Sequence, residues 1–427
     1  MRQITLAVLA TFSASAFALT PGSGAWVKET ATYGTPNLQN AYVFVPKNTA
    51  PAVKAGKRAL MLTMHGCGQT AQGNVIDGAF NWESTAEQYG MVVVAPTTPS
   101  GTSSTRAVSG CWDWFGTGQT RTNRDNVPLK KLIDAVMART NLDIDPNQVY
   151  VTGLSSGGGQ TLAVACVFPD VFAGLGSNAG PVIGAAAGDI SVAPKLSAAQ
   201  VAANCKGYSG SAYAGHYNTQ IFSTVYGNSD YLVLPAHNVR NAEGFGVIYG
   251  VSMSNPTTTS VTGGGTAKVY KDANGKQRIS DMVVSGMAHA WPAGADAPKK
   301  NIAYVDSTRV NYPAYVTKWF FDNNLRAAGG GSTTTTTAGS TTTTTAGATT
   351  TTTAAATTTT TTTTTTSAGA CFKSSNYAHV SAGRAYNSSG YAKAKGSNQN
   401  MGLNNTFYTT KLRKTGTNYY VIDNTCP

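Results

Sequence analysis

Residues 151–159, Val-Thr-Gly-Leu-Ser-Ser-Gly-Gly-Gly, hold a Gly-x-Ser-x-Gly pentad centred on Ser155. Such a motif works as a strained strand-to-helix turn, in which the glycines permit the tight backbone and the serine hydroxyl is pushed into the open. The flanks fit: Asn147 to Thr152 reads as a buried strand, and Gly157 to Cys166 as a small, apolar helix packed on a sheet. A serine hydroxyl is a poor nucleophile until a base takes its proton, and an imidazole base needs an acid to orient it. With the partners in the order acid then histidine, the histidines downstream in the same domain are His216, His237 and His289. His289 lies in a Gly/Pro-punctuated loop, Ser285 to Pro292, after the strand-like Asp281 to Val284; its bland alternative is a satisfied loop histidine. Asp230 follows the strand Ile221–Tyr226, where a strand's C-terminal end delivers a loop residue; its bland alternative is an ordinary turn aspartate. His237 and Asp281 are the rivals. His237 follows Asp230 too closely to come from a separate loop, and Asp281 begins a strand rather than ending one. The oxyanion needs backbone N–H donors. His65-Gly66-Cys67-Gly68-Gln69 follows a strand over 59–64, so the N–H groups of Cys67 and Ser156 are the expected pair, with His65 organising the loop.

The elements that must position these groups alternate. Apolar runs at 59–64, 91–95 and 149–151 read as strands, and Val127 to Thr140 has helical spacing after Pro128. Gln220 to Tyr226 is a further strand, and Tyr312 to Leu325 a closing helix. Continuous strands alternating with helices predict an α/β domain with a mostly parallel sheet covered on both faces. Trp112, Trp114, Tyr231 and Trp291 are candidate cleft-lining residues, with packing as the alternative reading.

The ends of the chain are different in kind. Residues 1–18, with Arg2, an apolar run and Ala16-Phe17-Ala18, read as a secretory signal peptide. The domain is expected over 19–328 and a linker over 329–370, where Thr runs alternate with Ala, Gly and Ser and carry neither charge nor aromatic. Residues 371–427 read as a small β-rich module. It carries seven Lys/Arg against Asp423 alone, half of the chain's net charge of +12. A solvated basic face is favoured there over a nucleic-acid or anionic-surface site. An exported chain with six cysteines and no Cys-x-x-Cys pair predicts disulfides rather than metal ligands. Cys371–Cys426 brackets the module; of the three pairings open to the rest, Cys67–Cys111 with Cys166–Cys205 is favoured. No metal, cofactor, membrane or nucleic-acid partner is expected, and the protein is expected to be a secreted monomer.

The motifs at 65–69, 153–158 and 286–292, with Asn376 to Val380, Ala382 to Ala385, Gly396 to Asn398, Met401 to Leu403 and Asn405 to Phe407, resemble the extracellular polyhydroxybutyrate depolymerases. The resemblance implies an α/β-hydrolase that cleaves insoluble poly(3-hydroxybutyrate) through a Ser155–His289–Asp230 triad. It places the oxyanion donors on Cys67 and Ser156, and makes the last 57 residues a substrate-binding domain. Two rival expectations remain: a feruloyl or acetylxylan esterase with the same triad, and a non-catalytic surface-binding protein.

Overall fold

The computed structural model describes residues 19–100, 109–327, 369–388, 391–403 and 409–426. The expected signal peptide, the Thr tracts, and Phe407 and Tyr408 of the tail lie outside these residues. The chain divides into two compact units, Met1–Gly330 and Gly331–Pro427.

The larger unit is built on one sheet. Its strands are β1 (Trp26–Lys28), β2 (Leu38–Phe44), β3 (Arg58–Met64), β4 (Val92–Pro99) and β5 (Ile144–Leu154). They continue with β6 (Gly174–Asn178), β7 (Ile221–Gly227), β8 (Thr257–Val261), β9 (Gly265–Lys271) and β10 (Gln277–Val284). The spatial order is β1-β2-β4-β3-β5-β6-β7-β10-β9-β8. From β4 through β10 every neighbouring pair is parallel. Antiparallel strands flank this block, β1 and β2 on one side and β9 and β8 on the other.

Both faces are covered, as continuously apolar strands require. Leu60, Leu62 and Met64 of β3 join a core with residues of α2 (Asn126–Met137), α3 (Ser156–Val167), α4 (Ala198–Ser209) and α5 (Pro235–Tyr249). Ala59 and Met61, pointing the other way, pack with α1 (Glu83–Tyr89) and α6 (Tyr312–Asn323). Two short parallel strands, β11 (Trp291–Pro292) and β12 (Val305–Asp306), lie beyond the sheet. This topology is that of an α/β-hydrolase.

The smaller unit holds two three-stranded sheets. One orders β13 (Cys371–Ser375), β17 (Thr409–Gly416) and β18 (Tyr419–Ile422) with β17 central. The other orders β14 (Ala385–Ser388), β15 (Tyr391–Ala394) and β16 (Asn400–Leu403). A short helix, α7 (Asn376–Ser381), follows β13. The core is small: Ala385, Ala392, Ala394, Met401, Leu412 and Tyr420, with Phe372, Val380 and Ile422 against it. Buried polar contacts supplement it. His379 bonds the Thr410 carbonyl at 2.9 Å and accepts from Arg384 at 3.0 Å, and Asn376 donates to the Met401 carbonyl at 2.7 Å. Cys371 and Cys426 are joined by a disulfide. Because strand side chains alternate, the β14–β15 register puts Tyr386, Ser388, Tyr391 and Lys393 on the face opposite the three buried alanines.

Candidate active site

Parallel strands deliver their C-terminal ends to one edge of a sheet, and there the candidate residues gather. Met64 ends β3 just before His65, and Leu154 ends β5 just before Ser155. Gly227 ends β7 three residues before Asp230, and Val284 ends β10 five before His289.

Ser155 is the turn itself. Its backbone sits at φ 58°, ψ −116°, a conformation a side-chain-bearing residue holds only under constraint. The surroundings supply it: Ser155 N–H donates to the Asn178 carbonyl on β6 at 2.8 Å, while its own carbonyl accepts from Gly159 N–H at 2.9 Å in α3. Gly157 is what lets helix and strand approach so closely, since a Cβ there would lie 2.4 Å from the His65 carbonyl oxygen. Ser156 is the first residue of α3. An N–H at that position has no intrahelical acceptor, so it is available to an anion above the helix end.

Asp230 and His289 meet across adjacent loops. Asp230 Oδ2 lies 2.7 Å from His289 Nδ1, and both side chains are buried. The other carboxylate oxygen accepts the N–H groups of Leu232 at 2.9 Å and Val233 at 3.0 Å. An ionised carboxylate only accepts, so the pair keeps the proton on Nδ1 and the lone pair on Nε2. That is the tautomer a general base needs.

The two loops are stitched by a residue that sequence reasoning passed over. Asn228 Oδ1 accepts Gly286 N–H at 2.7 Å, Asn228 N–H donates to the Val284 carbonyl at 3.2 Å, and Ser229 N–H donates to the Met287 carbonyl at 3.0 Å. Gly227 carries no Cβ because one would lie 1.9 Å from the Met287 oxygen. A Gly-Asn dipeptide at a strand end was the available signal.

The 65–69 loop is held from several sides. A disulfide joins Cys67 to Cys111, and Gly68 N–H donates to the Ser109 carbonyl at 2.6 Å. Gln69 Oε1 accepts Gly66 N–H at 2.9 Å, and its Nε2 donates to the Ala303 carbonyl at 3.2 Å. His65 is fully buried, with Nδ1 on the Gly66 carbonyl at 2.7 Å and Nε2 accepting from Thr98 N–H at 3.3 Å. Burial pushes this imidazole down to about 4, so it is a neutral scaffold at pH 7. The remaining disulfide is Cys166–Cys205, between α3 and α4, and the favoured cysteine pairings are those present.

The rivals are engaged elsewhere. His237 on α5 accepts Val182 N–H at 3.2 Å through Nδ1 and bonds the Val192 carbonyl at 2.9 Å through Nε2. Asp281 lies inside β10, between Thr224 and Lys268 on the neighbouring strands. Burial pushes its carboxyl up to about 6.

The expected aromatic lining needs correction. Trp112 and Trp291 are completely buried, Trp112 donating to the His65 carbonyl at 3.0 Å and Trp291 to the Phe80 carbonyl at 3.0 Å. Their indoles face the core, so they are framework rather than cleft wall. Trp114 is also buried and lies over Gly159 of α3, whereas Tyr231 is half-buried. Among the described residues no group of three or more His, Cys, Asp or Glu is arranged to hold a metal.

The family model described as "Esterase PHB depolymerase" matches residues 43–231. A poly(3-hydroxybutyrate) depolymerase of Ralstonia pickettii is 39% identical, over 96% of this chain and 95% of its own length. A poly(3-hydroxyalkanoate) depolymerase C of Paucimonas lemoignei is 33% identical, over 73% of this chain and 72% of its own. A poly(3-hydroxybutyrate) depolymerase of Delftia acidovorans matches a 57-residue stretch at 63% identity, 13% of this chain and 11% of its own.

Proposed function

Because the chain belongs to the poly(3-hydroxybutyrate) depolymerase family and is a serine ester hydrolase, we propose that Ser155, His289 and Asp230 act as its catalytic triad on insoluble poly(3-hydroxybutyrate). The observation that carries the reading is the buried 2.7 Å Asp230–His289 pair, on loops after the neighbouring strands β7 and β10, at the sheet edge where β5 ends in the Ser155 turn. Ser155 Oγ attacks an ester carbonyl as His289 Nε2 takes its proton, and the carbonyl oxygen becomes an oxyanion held by the N–H groups of Cys67 and Ser156. Collapse of this intermediate breaks the ester bond, and His289 returns the proton to the departing hydroxyl. Water, deprotonated by His289, then cleaves the 3-hydroxyacyl-serine and restores the enzyme. Asp230 orients the imidazole and stabilises its charged form.

The tail serves as the polymer-binding module. A solid substrate cannot diffuse, so a tethered binder raises the local concentration of the active site at its surface. Tyr386, Tyr391 and Tyr419 support this role, being 41%, 45% and 45% exposed, the exposed large apolar side chains among the described residues of this unit. Their rings suit the polymer's methyl groups and their hydroxyls its ester carbonyls. Residues 1–18 direct export, the Thr-rich segment tethers the two units, and the enzyme works outside the cell as a monomer on polyester rather than nucleic acid. The three disulfides fit an oxidising compartment. No helix among the described residues is long and apolar enough to cross a membrane.

The reading is tested by the clearing of a poly(3-hydroxybutyrate) suspension, wild type beside Ser155→Ala. Clearing by wild type alone supports it. Failure to clear, with short soluble esters and arabinoxylan esters still hydrolysed, transfers the triad to a polysaccharide substrate.

A further inference from the structure

The segment between β11 and β12 joins the two halves of the site, and it carries a side chain to the base. Two of its residues hold left-handed backbone, Asn301 at φ 58° and Tyr304 at φ 60°. For a bulky aromatic residue this conformation is an outlier that the surroundings must impose, and such outliers cluster at functional sites. Three contacts impose it. The Ala303 carbonyl accepts from Gln69 of the 65–69 loop at 3.2 Å, the Tyr304 carbonyl accepts Trp291 N–H at 2.8 Å, and Val305 N–H donates to the Ile302 carbonyl at 3.1 Å. Trp291 is itself two residues beyond His289. Two consecutive residues of the strap, Ala303 and Tyr304, are thereby fixed to the expected oxyanion loop and to the histidine loop. The Tyr304 ring meets His289 edge-on, with centroids 5.9 Å apart and planes at 79°. Tyr304 is half-buried as a residue, with its hydroxyl oxygen enclosed.

We infer that Tyr304 is a specificity-determining residue: its ring forms the wall against which the alcohol-side 3-hydroxybutyrate unit of the scissile ester rests. The inference builds on the polyester reading above. During acylation His289 hands its proton to the departing hydroxyl, so the part of the substrate beside the imidazole is the leaving half. A ring already packed on that imidazole adjoins this half rather than the acyl half. Its apolar surface suits the methyl branch of a 3-hydroxybutyrate unit. An alcohol leaving group with no such branch gains nothing from it.

Two esters with the same acyl half separate this role from others. The linear 3-hydroxybutyrate dimer and methyl 3-hydroxybutyrate give the same hydroxyacyl-enzyme, and differ only in what leaves. Tyr304→Asn removes the ring while keeping a residue tolerant of positive φ, and Tyr304→Phe keeps the ring. In the full-length protein, Tyr304→Asn is expected to lower kcat/KM for the dimer about tenfold, in line with the loss of one small apolar contact. The methyl ester should change less than about twofold, showing that fold and triad are intact, and Tyr304→Phe should restore dimer turnover. An equal fall on both esters would show that the ring serves His289 or the fold instead, and no fall on either would show that it does not touch substrate. Wild type that cleaves p-nitrophenyl acetate but neither hydroxybutyrate ester would remove the polyester reading, and this inference with it.

Discussion

The two units of the chain bury their interiors by opposite means. The larger has apolar layers on both faces of a wide sheet, and its candidate catalytic groups follow strand ends fixed by that packing. Among its described residues the smaller has a core cluster of six apolar side chains, three of them alanines, and relies on a disulfide and on bonds from His379 and Asn376 to hold its sheets together. Chemistry needs groups held to a fraction of an ångström, which a large core provides. Adhesion to a solid needs outward-facing rings, which a thin module can carry on any stable face. The division predicts that the two activities fail separately.

The largest effect should come from the staple of the small unit. Replacing Cys371 and Cys426 by Ser removes about 2–5 kcal/mol from a small disulfide-dependent module. Adsorption to poly(3-hydroxybutyrate) granules should be lost, while kcat/KM on soluble esters is retained. A parallel loss of soluble activity would break the comparison.

Within the large unit, Asn228→Ala removes the acceptor for Gly286 N–H and loosens the histidine loop. We expect kcat on soluble esters to fall roughly tenfold to a hundredfold, as for a small misplacement of a catalytic group, with KM little changed and adsorption unaffected. Asn228→Asp, which keeps an acceptor oxygen, should recover part of the loss. Unchanged kcat in Asn228→Ala would show that the loops hold without this contact.

Single Ala substitutions at Tyr386, Tyr391 and Tyr419 sharpen the comparison from the other side. Each should weaken granule adsorption by about 1–2 kcal/mol, the range of a moderate interface contact, measured as a binding isotherm. The buried Tyr420→Phe control should leave adsorption unchanged. Equal binding by all variants would place adhesion elsewhere on the module.

The smallest effect concerns Asp281. Burial raises its carboxyl to about 6, so the folded chain keeps a proton that the unfolded chain releases near the ordinary 3.8. The unfolded state therefore binds fewer protons between those values, and stability declines as pH rises through that window. Asp281→Asn should raise the melting temperature of the large unit by about 2 °C at pH 8 and leave it unchanged at pH 4. A larger gain at pH 4 than at pH 8 would reverse the assigned sign.

Much of this was readable from residue types, and the rest shows where such reading stops. Continuous apolar runs identify a strand buried on both faces, so β3 and the core of β5 were legible, as was the glycine-bounded Ser155 turn. Pro128 marked the start of α2. The contacts that tune the site were not legible, because they join residues far apart in the chain: Asn228 to Gly286, Gln69 to Ala303, Tyr304 to His289. Trp112 and Trp291 show the limit most plainly. An indole near a catalytic motif in sequence is as able to face the core as the cleft, and only the direction of its Cα–Cβ bond decides. The flanking β8 was missed because Thr257–Val261 is an exposed, polar edge strand without an alternating pattern.

The most direct test of the central claim is covalent. The full-length protein is treated with a fluorophosphonate ester, digested and mapped by mass spectrometry, while clearing of poly(3-hydroxybutyrate) is followed on the same sample. The account predicts one adduct, on Ser155, formed in proportion to the loss of clearing and absent in His289→Ala. Clearing that survives complete modification of Ser155, or an adduct on another serine that tracks the loss of activity, would contradict it.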